Sequence, residues 1–268
     1  MERIEVGGCG LAYEVTGGGP RTVALLNGIA MSVSHWKPVT ERLAAAGWRV
    51  LCHDMRGQLL SDKPGGYSLE GHARDLAALM DRLGIPRLHV MGTSYGAEVG
   101  LAFARDFPDR TESLVLVDGV SETDALLEAA VESWMRAARA DPGLFYRTII
   151  PWNYSADYIA ANREALDKRE AAIRSLPPDY FEAFAGLCDA FLKIDLTKDL
   201  GRIRCPTLAV VAEKDILKHR GFSEILVRGV PGARLAMIPG AGHAVVVEAP
   251  AAVADAAAAG ISPSSTPL

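Results

Sequence analysis

The segment Gly92-Thr93-Ser94-Tyr95-Gly96 presents a potentially nucleophilic side chain between two glycines. An apolar run typical of a buried strand precedes it, and a run with the pattern of a helix follows it. A serine in so tight a strand-to-helix turn is held in a strained backbone conformation with its hydroxyl exposed. Glycine is needed two residues before and after Ser94, because a Cβ at either position would collide with the neighbouring strand or helix. The segment therefore predicts a serine nucleophile.

A serine hydroxyl is a weak nucleophile at neutral pH, so it needs a base and a carboxylate that orients the base. Downstream, Asp215 follows an apolar strand, and His243 lies in a glycine-rich loop after the next strand. Serine, aspartate, histidine is one of the chain orders in which such triads occur. Two other carboxylates stay open as alternatives, since Glu213 lies just before Asp215 and Asp118 follows an earlier strand. We predict Ser94, His243 and Asp215 as the catalytic triad.

Attack on a carbonyl also requires two backbone N–H groups that stabilise the oxyanion. We predict that one of them belongs to Tyr95, directly after Ser94. The other is expected in the loop Asn27-Gly28-Ile29, which follows a buried strand and has no helical pattern. Gly28 permits a close turn there, and we predict the Ile29 amide as the second donor. Asn27 and Gly28 are also candidates for substrate contact.

The composition excludes several function classes. The chain has 268 residues, of which 49% are hydrophobic and 23% charged, as is usual for a globular protein. Its net charge of −5 and its lack of basic runs argue against a nucleic-acid or membrane partner. The first residues lack the apolar core of a signal peptide, and the four cysteines have no metal-binding spacing. We therefore expect a cytoplasmic protein without a metal or cofactor.

The order of predicted elements indicates an α/β fold with an insertion. Strand and helix patterns alternate through residues 1–120 and again through 201–268, which predicts one core with a parallel sheet and helices on both faces. In such a sheet, the carboxyl ends of the strands form one edge, where sites are usually built. Residues 121–200 have successive helical patterns instead, and we predict that they form a cap over this edge.

Aromatic side chains are concentrated in the predicted cap, and most are expected to form its own core. Pro151 predicts a loop for Trp152-Asn153-Tyr154. We predict Trp152 and Tyr154 as cap residues that contact the substrate, which favours an apolar or cyclic acyl group.

The chain resembles the α/β-hydrolase superfamily over nearly its whole length and, more narrowly, is similar to the esterase and 3-oxoadipate enol-lactonase-like branch. The resemblance implies a mostly parallel sheet of about eight strands, an inserted helical cap and a Ser94-His243-Asp215 triad. It is carried by Asn27-Gly28, the segment 54–58 with Ser61, the nucleophile elbow 92–96, Glu213-Lys214-Asp215, the loop 240–243 and Glu248-Ala249-Pro250.

Two positions depart from the family pattern. The family often has histidine before the glycine of the oxyanion loop, where this chain has Asn27, and it often has histidine at the position of Gln58. Because the oxyanion donor is a backbone amide, asparagine is compatible with catalysis. We interpret Asp54 and Arg56 as residues that hold the neighbouring loop rather than as a second acid–base pair.

Together these features predict a cofactor-independent serine hydrolase that cleaves a carboxylic ester or lactone of a small, moderately apolar molecule. Hydrolysis of a carbon–carbon bond in a vinylogous diketone is an alternative, because it uses the same triad. A ligand receptor built on a hydrolase fold is the alternative outside enzymes. The sequence gives no prediction of oligomeric state.

Overall fold

A computed structural model of the protein describes residues 1–261. Residues 262–268, the end of the segment 201–268 that the sequence assigns to the core, lie outside the described residues. The described chain forms one sheet of eight strands: β1 (Glu2–Val6), β2 (Cys9–Thr16), β3 (Thr22–Leu26), β4 (Arg49–His53), β5 (Leu88–Thr93), β6 (Thr111–Val117), β7 (Thr207–Ala212) and β8 (Arg234–Ile238).

The strands lie in the spatial order β1-β2-β4-β3-β5-β6-β7-β8. The pairs β1–β2 and β2–β4 are antiparallel, and the other five pairs are parallel. This confirms the predicted α/β-hydrolase fold with a mostly parallel sheet of about eight strands.

Helices cover both faces of the sheet. Residues 1–261 contain eleven α-helices: α1 (Lys37–Ala45), α2 (Leu69–Arg82), α3 (Tyr95–Asp106), α4 (Ala125–Ala140), α5 (Pro142–Asn153), α6 (Ala156–Ala161), α7 (Arg163–Arg174), α8 (Pro178–Phe191), α9 (Arg220–Gly229), α10 (Val245–Glu248) and α11 (Pro250–Ile261). Short 3₁₀ helices lie at Val33–Trp36, Pro108–Arg110 and Thr197–Arg202.

The central strands are buried on both faces, which explains their nearly continuous apolar sequences. All five residues of β3 are buried. Val23 and Leu25 belong to the apolar core shared with α1 and α11, whereas Ala24 and Leu26 belong to the core shared with α2 and α3. Because side chains alternate along a strand, β3, β4, β5 and β6 each contribute to both cores.

Capping side chains fix where several helices begin. The Ser68 hydroxyl accepts a hydrogen bond from the Gly71 N–H at 3.0 Å, which caps the start of α2. The apolar pattern of residues 245–259 predicts a single helix, but the structure has two, α10 and α11. Pro250 has no N–H to continue α10, and Ala249 before it has non-helical angles of φ −137° and ψ 54°. The proline disrupts one helix and begins the next.

Five helices, α4 to α8, lie between β6 and β7 and occupy most of the segment predicted as a cap. We call these five helices the cap. Phe145 packs against Phe184 and Phe181 at ring-centroid distances of 4.5 and 6.1 Å. These rings form the internal core that the aromatic content predicts.

The loop predicted after Pro151 differs from the structure. Trp152 and Asn153 form the last turn of α5, and only Tyr154 has left the helix. The Asn153 side chain donates to the Ile149 carbonyl at 2.9 Å, which supports this turn although the proline lacks an N–H group.

The tightest turn of the fold joins β5 to α3. Ser94, at the centre of this turn, has φ 52° and ψ −123°, and a positive φ is uncommon for a residue with a side chain. A Cβ at Gly92 would lie 2.0 Å from the Gly96 carbonyl oxygen, and a Cβ at Gly96 would lie 2.2 Å from the Leu26 carbonyl oxygen. This confirms that both glycines are needed for close packing of backbone on backbone.

The variant Gly96→Ala tests this packing. Because the obstructing atoms belong to the backbone of β3, they cannot move aside cheaply, and we expect the free energy of unfolding to fall by about 3 kcal/mol. Urea unfolding followed by circular dichroism measures this change. Gly18→Ala is the control, since a Cβ at Gly18 meets no described atom within 4 Å. Equal stability of the two variants would contradict the prediction.

Candidate active site

Loops at one edge of the sheet bring together three residues that are far apart in sequence. Ser94 follows β5, while Asp215 and His243 lie in the loops after β7 and β8. His243 Nε2 lies 2.9 Å from Ser94 Oγ, and His243 Nδ1 lies 2.7 Å from Asp215 Oδ2. In the neutral imidazole, Nδ1–H donates to Asp215, and Nε2 accepts from the Ser94 hydroxyl. This arrangement is suited to removing a proton from Ser94.

Asp215 is buried, and its environment favours the ionised form. Its Oδ1 accepts hydrogen bonds from the backbone N–H groups of Leu217 and Lys218 at 2.8 and 2.9 Å. Burial opposes ionisation, but the interactions with His243 and these two amides outweigh it and lower the pKa of Asp215 below its ordinary value. A carboxylate is therefore available to orient His243.

Asp118, the alternative carboxylate, directly follows β6 and lies beside Asp215 and His243. It has φ 47° and is fully buried, and its Oδ1 accepts the Ala212 N–H at 2.8 Å. Its other oxygen, Oδ2, has no hydrogen-bond partner among the described residues. Burial, followed by the negative charge of Asp215, raises the pKa of Asp118 well above its ordinary value. The surroundings of Asp118 therefore favour its protonated form, whereas those of Asp215 favour the ionised form.

Asp118, Asp215 and His243 each offer a ligand atom, and these atoms lie within 4.8 Å of one another, as in a metal site. However, both ring nitrogens of His243 already have hydrogen-bond partners, and so does each oxygen of Asp215. His243 and Asp215 bond to each other, and Asp118 bonds to the backbone N–H of Ala212.

A buried ion pair connects the loop after β7 to α3. Lys218 Nζ lies 2.9 Å from Glu98 Oε2, and the two side chains are 3% and 0% exposed. Glu98 Oε1 also accepts the Val120 N–H at 2.9 Å. The Lys218 ammonium lies 4.5 Å from the centre of the Phe191 ring of the cap. Glu98 is a polar core contact. No motif in the sequence indicates that Lys218 is its partner.

The predicted oxyanion loop is held from behind by a side-chain amide. Gln58 is 1% exposed, and its Nε2 donates to the Gly28 carbonyl at 2.8 Å. Because C=O and N–H point in opposite directions across a trans peptide, this bond directs the Ile29 N–H away from Gln58. A Cβ at Gly28 would lie 3.5 Å from Ser94 Cβ, so the loop directly adjoins the nucleophile. Sequence analysis noted Gln58 only as a departure from the family pattern.

Asn27 supports the same loop and does not face the cavity. Its Nδ2 donates to Gln58 Oε1 at 2.9 Å and to Asp54 Oδ1 at 3.2 Å, and its Oδ1 accepts the Trp36 indole N–H at 2.9 Å. With 0% exposure, its side chain is fully used by the protein. The structure thus corrects the prediction that Asn27 contacts substrate.

Asp54 and Arg56 act as predicted, in holding loops. Asp54 accepts the N–H groups of Val33 and Leu60 at 2.8 and 3.0 Å. Arg56 forms an ion pair with Asp75 of α2.

A cavity of about 330 Å³ lies between the core loops and the cap, and the Ser94 and His243 side chains are part of its wall. The predicted residues Gly28, Ile29 and Tyr154 also line it. Trp152 lies outside the wall formed by the described residues and packs edge-on against Trp134, with ring centroids 6.5 Å apart. Its location in the last turn of α5, rather than in a loop, accounts for this difference. Most other lining residues are apolar or aromatic, including Leu59, Trp134, Tyr146, Ile149, Ile173, Tyr180, Phe184 and Leu217.

The Tyr95 side chain is fully buried, so any direct role at the site belongs to its backbone. Its amide lies at the start of α3, where first-turn N–H groups have no acceptor within the helix.

None of the helices in the described chain is both long and apolar enough to cross a membrane.

Comparison with known proteins places the chain in a family. A family model described as the alpha/beta hydrolase fold matches residues 21–250. A protein of Caulobacter sp. (strain K31) named as a carbamate hydrolase, RutD, is 32% identical over 255 residues, which cover 91% of this chain and 92% of its own.

Two solved structures are also similar. The enol-lactonase from Burkholderia xenovorans LB400 is 25% identical, with a TM-score of 0.88 over 96% of this chain and 98% of its own. A thermophilic esterase from Thermogutta terrifontis is 30% identical, with a TM-score of 0.84 over 97% of each chain. These three relatives are named as hydrolases, and the family model covers most of this chain, so the chain belongs to the α/β-hydrolase family.

Proposed function

We propose that this protein is a serine hydrolase that cleaves a carboxylic ester or lactone of a small, moderately apolar molecule. The observation that carries the proposal is the hydrogen-bonded series from Ser94 Oγ through His243 to Asp215, with distances of 2.9 and 2.7 Å. Its first two members line a mostly apolar cavity. The similarity to an enol-lactonase and an esterase supports the choice of substrate class.

In the first half-reaction, Ser94 Oγ attacks the carbonyl carbon and its proton moves to His243 Nε2. The carbonyl π electrons move to oxygen and give a tetrahedral oxyanion. When this intermediate collapses, the bond to the leaving oxygen breaks, and His243 returns its proton to the departing alcohol or enol. The product is an acyl group esterified to Ser94.

In the second half-reaction, His243 removes a proton from a water molecule, which attacks the acyl carbon. Collapse of this second tetrahedral intermediate releases the acid and returns the proton to Ser94. Throughout, Asp215 holds the imidazole in the required tautomer and stabilises its protonated form.

The amides of Tyr95 and Ile29 are the proposed oxyanion donors. Tyr95 N–H lies at the start of α3, where the helix dipole also favours negative charge. Ile29 N–H follows the peptide whose carbonyl is held by Gln58. Preorganised donors of this kind act without rearrangement when the charge forms.

Carbamate hydrolysis is a second candidate, because the curated relative at 32% identity is named as a carbamate hydrolase. The same residues would perform it, with a carbamoyl group on Ser94 in place of an acyl group. A panel that pairs each ester with the carbamate of the same alcohol distinguishes the two by their relative kcat/KM.

We also assign the protein to the cytoplasm. In the described chain Cys9, Cys52, Cys188 and Cys205 are free thiols, which supports a reducing compartment. Burial raises the pKa of Cys52 to about 12, which keeps that thiol protonated.

The variant Ser94→Ala tests the nucleophile. We expect turnover of p-nitrophenyl acetate to fall by about four to six orders of magnitude, and labelling by a fluorophosphonate to disappear, because the attacking oxygen is lost. Ser133→Ala is the matched control, since Ser133 is an exposed serine of α4. If Ser94→Ala hydrolyses the ester as fast as Ser133→Ala, the proposed function is wrong.

The variant Gln58→Glu tests the support of the oxyanion loop. It retains an oxygen that can accept from Asn27 but removes the N–H donor to the Gly28 carbonyl. We expect kcat to fall by at least about tenfold with little change in KM. A displaced donor weakens the stabilisation of the oxyanion in the transition state but has little effect on binding of the ground-state substrate. Affinity for a boronic acid that mimics the tetrahedral intermediate falls with kcat, whereas affinity for the acid product does not. Equal losses for both ligands would indicate a merely structural role.

The variant Asp118→Asn tests whether Asp118 holds its proton. Below a pH of about 4, this carboxyl is protonated in the folded and unfolded chains alike. At higher pH the unfolded chain releases the proton while the raised pKa retains it in the folded protein, so the stability of the wild type falls as pH rises.

Asparagine keeps the acceptor for the Ala212 N–H and cannot ionise. The variant should therefore gain stability over the wild type between pH 5 and pH 8, by up to about 1.4 kcal/mol per pH unit. Urea unfolding at several pH values measures this difference. A difference that stays constant across the range would show that Asp118 is ionised in the folded protein.

A further inference from the structure

Arg169 brings a positive charge to an otherwise mostly apolar cavity. It lies on α7 in the cap, is half-buried, and contributes to the wall that faces Ser94 and His243. Among the described residues that line the cavity, Arg169 is the only aspartate, glutamate, lysine or arginine.

Within residues 1–261, this guanidinium has no carboxylate partner, although several acids lie on the same helix. Asp167 pairs with Arg147, and Glu170 pairs with both Arg147 and Arg174. Glu164, at the start of the helix, pairs with Lys168. The acids of α7 are thus engaged by other cations.

The contact that Arg169 does make is to a neutral group of the same wall. Its Nη1 donates to the Tyr154 hydroxyl at 2.6 Å. A guanidinium has five N–H donors in a planar fork, so this bond leaves donors that a ligand could engage. Tyr154 fixes one side of the group and so helps to orient it.

The charge of Arg169 also acts on the core side of the cavity. His35 lines the cavity from the 3₁₀ helix before α1. Its pKa is lowered chiefly by burial, and the positive charge of Arg169 lowers it further. Arg169 and His35 thus line the same cavity, one from the cap and the other from the core, and Ser94 and His243 line it too.

A partly desolvated cation without a counter-ion is unfavourable, and a bound anion offsets this cost. Arginine binds carboxylates through paired, charge-assisted hydrogen bonds. We propose that Arg169 binds a carboxylate of the substrate, so that the enzyme acts on esters or lactones that carry a second, free carboxylate, such as half-esters of dicarboxylic acids. This inference rests on the proposed function and names the substrate class of that site.

Matched substrates test the proposal. Monomethyl esters of succinic, glutaric and adipic acids carry the carboxylate at increasing distances from the scissile bond, and the dimethyl esters are their neutral counterparts. We expect the wild type to prefer the monomethyl ester of at least one chain length. In Arg169→Gln, kcat/KM for that ester should fall by about 10- to 100-fold, mainly through KM, while the value for the dimethyl ester stays within about threefold.

Two further variants make the comparison specific. Arg163→Gln removes an exposed arginine from the start of the same helix, and we expect it to match the wild type on every ester. Arg169→Lys keeps the charge without the fork and should recover only part of the preference. An equal loss on mono- and dimethyl esters in Arg169→Gln would show that Arg169 merely holds Tyr154, and would overturn the proposal.

Binding of the free diacids gives a readout that does not require turnover. Calorimetric titration with glutarate and adipate should show binding to the wild type that Arg169→Gln weakens at least tenfold. If neither diacid binds the wild type at millimolar concentration, the carboxylate site is wrong, even if esters are hydrolysed. Conversely, diacid binding that depends on Arg169, together with full esterase activity of Ser94→Ala, would sustain the site and reject the proposed catalytic function.

Discussion

The proposed catalytic edge depends on keeping the buried carboxylate of Asp215 ionised. In an apolar interior, Asp215 alone would favour its neutral form, which could not stabilise a protonated imidazole. Two backbone N–H groups and His243 offset that preference. Asp118 lies beside Asp215 and is also buried, but it has one backbone donor and an oxygen with no partner among the described residues. Burial and the charge of Asp215 raise the pKa of Asp118, whereas the pKa of Asp215 is lowered. This difference favours Asp215 over Asp118 for the orienting role that we propose.

The two departures from the family pattern meet in space. Asn27 and Gln58 are 31 positions apart, yet their side-chain amides bond to each other at 2.9 Å behind the oxyanion loop. Each amide offers donors and an acceptor without a charge, so this network satisfies the Gly28 carbonyl and the Trp36 indole at once. Asn27 and Gln58 therefore hold this loop together. A substitution at one of them therefore has to be judged with the other in place.

Sequence reasoning predicts this protein well where chemistry and backbone geometry are local. The nucleophile turn, the alternation of strands and helices, and the meeting of Ser94, Asp215 and His243 at one edge follow from motif, period and the geometry of parallel sheets. Side-chain direction is harder to predict, because it depends on how elements dock. Asn27 faces inward to its partners, and Trp152 is turned onto Trp134 by a helix that continues past its proline. Lys218 pairs with Glu98, which lies 120 residues earlier in the chain, and no sequence motif predicts this pair.

Charge is treated differently in the two parts of the molecule. At the core edge the buried charged groups have internal partners: Lys218 pairs with Glu98, and the Asp215 carboxylate accepts from His243 and two backbone amides. Such groups cannot turn to a ligand without leaving another charge unpaired, so their role is to fix geometry. In the cap, Arg169 has a neutral partner, and its charge is uncompensated within the described residues. If the core performs the chemistry and the cap selects the substrate, this is the expected division. A fixed set of reacting groups stays constant, while one side chain on an inserted helix can change what binds.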